Sequence, residues 1–228
     1  GCITPSIPYC YTEYMQIGVF DSGKGGVFVA EHLEKLVPHC TFVVVDDSAN
    51  VPYGSRSRSE VIELTDRAIQ PLLASCPIII IACNTATTAG IHELRRRYPD
   101  TTFIGIEPML KPAQARTKTG HMTVLATPAT LRSERYQELK QLFAGLSTVD
   151  EPDTRDWARK IEDGLAHEIN LSPLHESVNS GSDTLVLACT HYIGIKDHLQ
   201  KTYPAVLILE PSEAIAERLV QLLPGRLR

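Results

Sequence analysis

Ile78-Ile79-Ile80-Ile81-Ala82-Cys83-Asn84-Thr85 and, 106 residues further on, Thr184-Leu185-Val186-Leu187-Ala188-Cys189-Thr190-His191 are two versions of one phrase. Each is an unbroken apolar run of strand length, halted by Ala-Cys and small polar residues. A run without polar alternation predicts a strand buried on both faces, as in a parallel sheet covered by helices. The cysteine then stands at the carboxyl end of the strand, where open α/β sheets hold their ligands. Two such thiols, one per half of the chain, suggest two acid/base groups facing one substrate from opposite sides.

The repetition continues on either side of the cysteines. Met15-Gln16-Ile17-Gly18-Val19-Phe20-Asp21 matches His121-Met122-Thr123-Val124-Leu125-Ala126-Thr127 at the same offset, so that Asp21 corresponds to Thr127. Ile104-Gly105-Ile106-Glu107-Pro108 recurs as Leu207-Ile208-Leu209-Glu210-Pro211, 103 residues later. The simplest account is a duplicated α/β unit. The expected fold is therefore α/β, with two similar parallel-sheet domains related by pseudo-twofold symmetry and the active site in the cleft between them. Residues 15–100 with 209–228 are assigned to the first domain, 101–208 to the second, and 1–14 to an extension or cloning remnant.

Alternating signals give strands at about 16–20, 41–45, 78–82, 102–106 and 122–126. Helices are expected at about 25–36, 58–74, 86–97, from Ser133 onward, 156–171 and 214–223. Strands alternating with helices imply right-handed parallel crossovers. At 228 residues, the chain has room for two modest cores. A net charge of -5 with 21% charged residues gives too little positive charge for a nucleic-acid binder. Arg95-Arg96-Arg97 closes a helical pattern and complements its dipole. No apolar segment approaches the roughly 18 residues of a membrane span, and a cytoplasmic location is expected. Six cysteines without C-x-x-C spacing are expected to be reduced.

Two thiols flanking one carbon can take a proton from one face and return one to the other, which is stereoinversion. Free cysteine has a pKa of about 8.5, and helix N-termini following Cys83 and Cys189 would favour their thiolates. Asp21-Ser22-Gly23-Lys24-Gly25-Gly26 follows the first strand, and its backbone amides suit a carboxylate. Gly18 through Lys24 has phosphate-loop spacing, but Gly25 replaces the magnesium-binding hydroxyl and Asp21 would repel phosphate. Asp47, Asn50, Pro52, Tyr53, Gly54 and Arg56 form a loop that reads as a connector or a ligand-binding turn. The hydroxyls of Thr127 and Thr130 suit substrate carboxylates or helix capping. His191 can tune Cys189, and no metal-ligand spacing surrounds it.

Gly18-Val19-Phe20-Asp21-Ser22-Gly23, Pro52-Tyr53-Gly54, Ala82-Cys83-Asn84-Thr85, Ala126-Thr127-Pro128-Ala129-Thr130 and Cys189-Thr190-His191 together resemble the glutamate racemases of the cofactor-independent aspartate/glutamate racemase superfamily. The resemblance spans most of the chain. It implies an isomerase that interconverts L- and D-glutamate for peptidoglycan in cell wall biogenesis, without pyridoxal phosphate or metal. Cys83 and Cys189 would be its acid and base, assisted by Asp21 and by His191, and Glu162 resembles the family's acidic residue near the histidine. Asp21, Ser22, Tyr53, Gly54, Asn84, Thr85, Thr190 and His191 would surround the substrate. The implied partners are a small acidic amino acid and a second copy of the chain in a homodimer. An aspartate or broad-specificity racemase, or a non-catalytic amino-acid-binding protein, are the alternatives. Tyr192-Ile193-Gly194-Ile195 departs from the aromatic-Pro-Leu that usually follows Cys-Thr-His, and Glu210 replaces a more usual Asp.

Overall fold

The computed structural model describes residues 15–143, 145 and 147–223, and the extension assigned to 1–14 lies outside the described residues. The first unit comprises β1 (Met15–Asp21), α1 (Gly25–Leu36), β2 (Cys40–Asp46), α2 (Arg58–Ala68), α3 (Gln70–Leu73), β3 (Ile78–Ile81), α4 (Asn84–Arg97) and β4 (Thr102–Gly105). After α5 (Leu110–Arg116), the second unit runs β5 (His121–Leu125), α6 (Pro128–Arg132), α7 (Glu134–Phe143), β6 (Thr148–Asp150), α8 (Trp157–Glu162), α9 (Ser172–Asn179) and β7 (Thr184–Leu187). It continues through a tight 3-10 segment (Thr190–Ile195), α10 (Lys196–Thr202) and β8 (Leu207–Leu209) before the closing α11 (Ser212–Leu222).

The strands form two parallel four-stranded sheets, ordered β2-β1-β3-β4 and β6-β5-β7-β8. The identical order is the structural form of the sequence repeat. In β3 the apolar run is fully buried because its two faces belong to different cores. Ile78 and Ile80 pack with α1 and α11, whereas Ile79 and Ile81 pack with α2 and α4. β7 divides likewise, with Leu185 and Leu187 on one side and Val186 on the other. Burying both faces leaves only the strand ends open to ligand, so both cysteines are carried to the cleft.

Several boundaries differ from expectation. β4 pairs with β3, so residues 102–105 complete the first sheet instead of opening the second domain at 101. Phe103 and Ile104 enforce this by entering the two first-unit cores. The helix expected at 58–74 breaks at Ile69, because Pro71 has no N–H to offer the carbonyl of Arg67. Its start is a capping box in which Ser57 Oγ accepts from Glu60 N at 3.3 Å and Glu60 Oε2 accepts from Ser57 N at 2.9 Å. The single helix expected at 156–171 is a short α8 followed by turns, the helix expected directly after Cys189 starts only at α10, and β6 and α9 were not foreseen. Among the described residues no helix is long and apolar enough to cross a membrane.

Thr87, buried in α4, stitches the crossover to the sheet. Its hydroxyl donates to Ile81 O at 3.0 Å and accepts from Ile106 N at 3.2 Å. Thr87→Val conserves shape and removes both hydroxyl bonds, leaving Ile106 N and Ile81 O their direct bond of 3.3 Å, so urea denaturation should show a loss of about 1 kcal/mol.

Candidate active site

The carboxyl ends of the two sheets face a shared cavity of about 700 Å3, lined by Ser22, Tyr53, Gly54, Cys83, Asn84 and Thr85 from the first unit and by Thr127, Glu162, Cys189, Thr190 and His191 from the second. All of these were singled out in the sequence. Asp21 lies fully buried against this group, with its Oδ2 accepting from Gly23 N at 3.1 Å and its Oδ1 from Thr190 Oγ1 at 3.1 Å. The second bond crosses from one unit to the other. Gly25 allows that approach, since a Cβ there would come within 2.7 Å of the Thr190 Cβ.

Cys83 is the N-cap of α4. Its Sγ accepts from Ala86 N at 3.4 Å and lies 3.4 Å from Ser22 Oγ. Ser22, expected only as a substrate ligand, is therefore the hydroxyl that touches this thiol. Burial nonetheless pushes the thiol up to about 11, and the charge of Asp21 adds to the rise against the opposing hydrogen bonds. The helix dipole expected to favour thiolate is outweighed by desolvation. Burial also raises the Asp21 carboxyl to about 6, opposed first by the charge of His191 and then by the hydrogen bonds of Gly23, Thr190 and Ser22.

Cys189 has a different set of neighbours. It precedes a 3-10 segment instead of the α-helix expected, with no cap bond to its side chain. The segment is tight because Tyr192 is drawn into the core, where its hydroxyl donates to Thr154, and Gly194 sits against the Phe28 ring. Burial pushes this thiol well above the ordinary range, with Asp21 and Cys83 adding to it against the backbone N–H of His191. His191 Nδ1 lies 3.8 Å from Cys189 Sγ, and Nε2 is 2.6 Å from Glu162 Oε2. A carboxylate on Nε2 holds a proton there in either charge state, and in the neutral imidazole it leaves the Nδ1 lone pair facing the thiol.

Glu162 is held from the opposite unit, a link that sequence alone did not reveal. Lys24 N donates to its Oε2 at 3.0 Å and Lys24 Nζ to its carbonyl at 2.8 Å. Gly23 lets the carboxylate in, because a Cβ there would lie 2.9 Å from Oε2. Tyr53 OH donates to Asp47 Oδ2 at 2.7 Å, so the loop after β2 is a braced wall. Thr85 and Thr127 hydroxyls meet across the cleft at 3.4 Å, and Thr127 also caps α6 by accepting from Thr130 N. Asn84 is 4% exposed, yet both polar atoms of its side chain lack any partner. Buried amides are almost always bonded, so this one marks where a polar ligand fits. Among the described residues no three His, Cys, Asp or Glu side chains are grouped to hold a metal ion.

A carboxyl whose pKa is raised from 3.8 to about 6 weakens the fold as pH climbs through that window, because the native state binds more protons than the unfolded one. Asp21→Asn should add nothing at pH 4 and roughly 1–3 kcal/mol at pH 7, measured by urea denaturation at the two pH values.

The Asp/Glu/Hydantoin racemase family matches residues 28–219. A glutamate racemase of Pseudomonas paraeruginosa is 36% identical over 221 residues, covering 94% of this chain and 83% of its own length. That of Clostridium novyi is 38% identical over 193 residues, covering 82% and 74%. The Escherichia coli glutamate racemase, solved in complex with L-glutamate and the activator UDP-MurNAc-ala, superposes with a TM-score of 0.80 at 27% identity, covering 94% of this chain and 84% of its own. Two thiols at equivalent strand ends, the order of both sheets and the extent of these matches lead to one conclusion: the chain belongs to the Asp/Glu/Hydantoin racemase family.

Proposed function

We propose that this protein is a glutamate racemase in which Cys83 and Cys189 are the paired acid and base. The observation that carries the reading is the pair of buried thiols at symmetry-equivalent strand ends, opening on one cavity beside the unpartnered Asn84 amide. Glutamate, as the substrate, is supported by the similarity to glutamate racemases across nearly the whole chain.

One thiolate removes the α-proton, and the opposite thiol delivers a proton to the other face of the carbanionic intermediate. Both thiols are held protonated by burial, so a thiolate must be generated as substrate binds. The α-ammonium brings a positive charge into a desolvated site, which favours the ionised thiol. Ser22 stabilises the Cys83 thiolate by hydrogen bonding, while His191, oriented by Glu162, accepts the Cys189 proton. Asn84, Thr85 and Thr127 supply neutral donors for substrate carboxylates, prearranged by the folded units, while the Thr190 hydroxyl is committed to Asp21. By resemblance, Cys83 serves the D isomer and Cys189 the L isomer. The cellular role is supply of D-glutamate for peptidoglycan in the cytoplasm, with the chain acting as a homodimer.

The test is NMR of L-glutamate, and separately L-aspartate, in deuterated water, following loss of the α-proton together with optical rotation. Exchange with inversion of glutamate is expected; exchange of aspartate alone would transfer the assignment to that substrate, and exchange of neither would sink it. Cys83→Ser and Cys189→Ser should each lower racemisation by about a thousandfold or more, a barrier increase of roughly 4 kcal/mol. Glu162→Gln, which keeps shape but removes the charge orienting His191, should reduce kcat by about 10- to 100-fold, checked by polarimetry.

A further inference from the structure

The cavity wall is largely apolar, and among the described residues no lysine lines it. Its deep polar lining consists of hydroxyls, the Asn84 amide and the thiols, with His191 and the carboxylates of Asp21 and Glu162 adjoining. An acidic amino acid carries a net charge of -1 and must approach a protein whose own net charge is -5. Every arginine lining the cavity comes from the second unit: Arg132 at the end of α6, and Arg155 and Arg159 around the start of α8.

These arginines are not equivalent. Arg155 is engaged by Asp153 at 2.6 Å. Arg132 and Arg159 are exposed, and neither has a carboxylate within ion-pair distance among the described residues. Of the acids on the same wall, Asp156 is paired with Lys160 at 2.7 Å, and Glu162 is bound to His191. Asp163 is the remaining exposed carboxylate there. Two uncompensated cations against one acid give the mouth a positive potential, in a concave surface that concentrates it.

We infer that Arg132 and Arg159 form a cationic rim that draws anionic ligands into the cleft, acting through the field and not by contact with the bound molecule. The inference rests on the acidic amino-acid reading above and extends it to how that class of substrate is captured. A mechanism of this kind has a signature that a direct salt bridge lacks. Its strength scales with the ligand's net charge and disappears when salt screens it.

The experiment measures dissociation constants by NMR titration for L-glutamine (net charge zero), L-glutamate (-1) and glutarate (-2), using the wild type and the R132Q/R159Q double variant. At roughly 10 Å in water each lost charge weakens a monoanion about 1.6-fold in 10 mM salt, so the pair gives about threefold for glutamate and about sevenfold for glutarate. L-Glutamine should be unaffected, and all differences should shrink below about 1.5-fold in 0.5 M salt. Unchanged glutamate affinity, equal losses for all three ligands, or a loss that survives 0.5 M salt would each overturn the rim. Absence of glutamate binding by the wild type would overturn the substrate assignment as well, which separates the two failures.

Discussion

The hydrogen bond from the Thr190 hydroxyl to the buried Asp21 carboxylate is the contact on which the active centre depends. It joins the end of β1 to the turn that follows Cys189, beside the apolar contact in which Ile193 of that turn enters the first-unit core against α1. A carboxyl in that position is expensive to ionise, and its raised pKa records the burial. The surrounding backbone is shaped for this contact. Gly23 and Gly25 leave room for Glu162 and Thr190 to approach, and Lys24 between them reaches Glu162 with both its amide and its amine.

The duplicated architecture supports two unlike half-sites. Cys83 caps a 14-residue helix and is touched by a serine hydroxyl, with Asp21 nearby. Cys189 starts a 3-10 turn and faces an imidazole that is itself oriented by a carboxylate. Stereoinversion requires two groups on opposite faces of one carbon, and duplication supplies their placement. It does not require the same means of moving a proton on each side. Desolvation raises both thiols, so burial favours the uncharged form of each. The unpartnered Asn84 amide marks where a polar ligand fits, since the protein itself leaves its hydrogen bonds unmade.

Much of the architecture was legible in the chain because parallel strands buried on both faces cannot hide their composition. The four isoleucines before Cys83 and their counterpart before Cys189 identified the central strands, and the 106-residue offset identified the duplication. Short elements were less visible. β6 has three residues, and its half-buried Thr-Val-Asp carries no apolar run. The boundary after residue 100 was misplaced because Thr102–Gly105 is as apolar as a strand of either unit would be, and only pairing with β3 assigns it.

By itself, the sequence determined the α/β class, the repeat, the two cysteines at strand ends and, by resemblance, the residues that gather round them. These properties reside in local composition and in spacing, which survive without a third dimension. Tertiary structure decided which partners those residues have. That Lys24 holds Glu162 across 138 positions follows from packing one unit against the other, and that Ser22 touches Cys83 follows from the pairing of β1 with β3 inside the first unit. The balance between helix dipole and burial at each thiol was also settled there, because desolvation depends on how many atoms exclude water and not on which residue comes next in the chain.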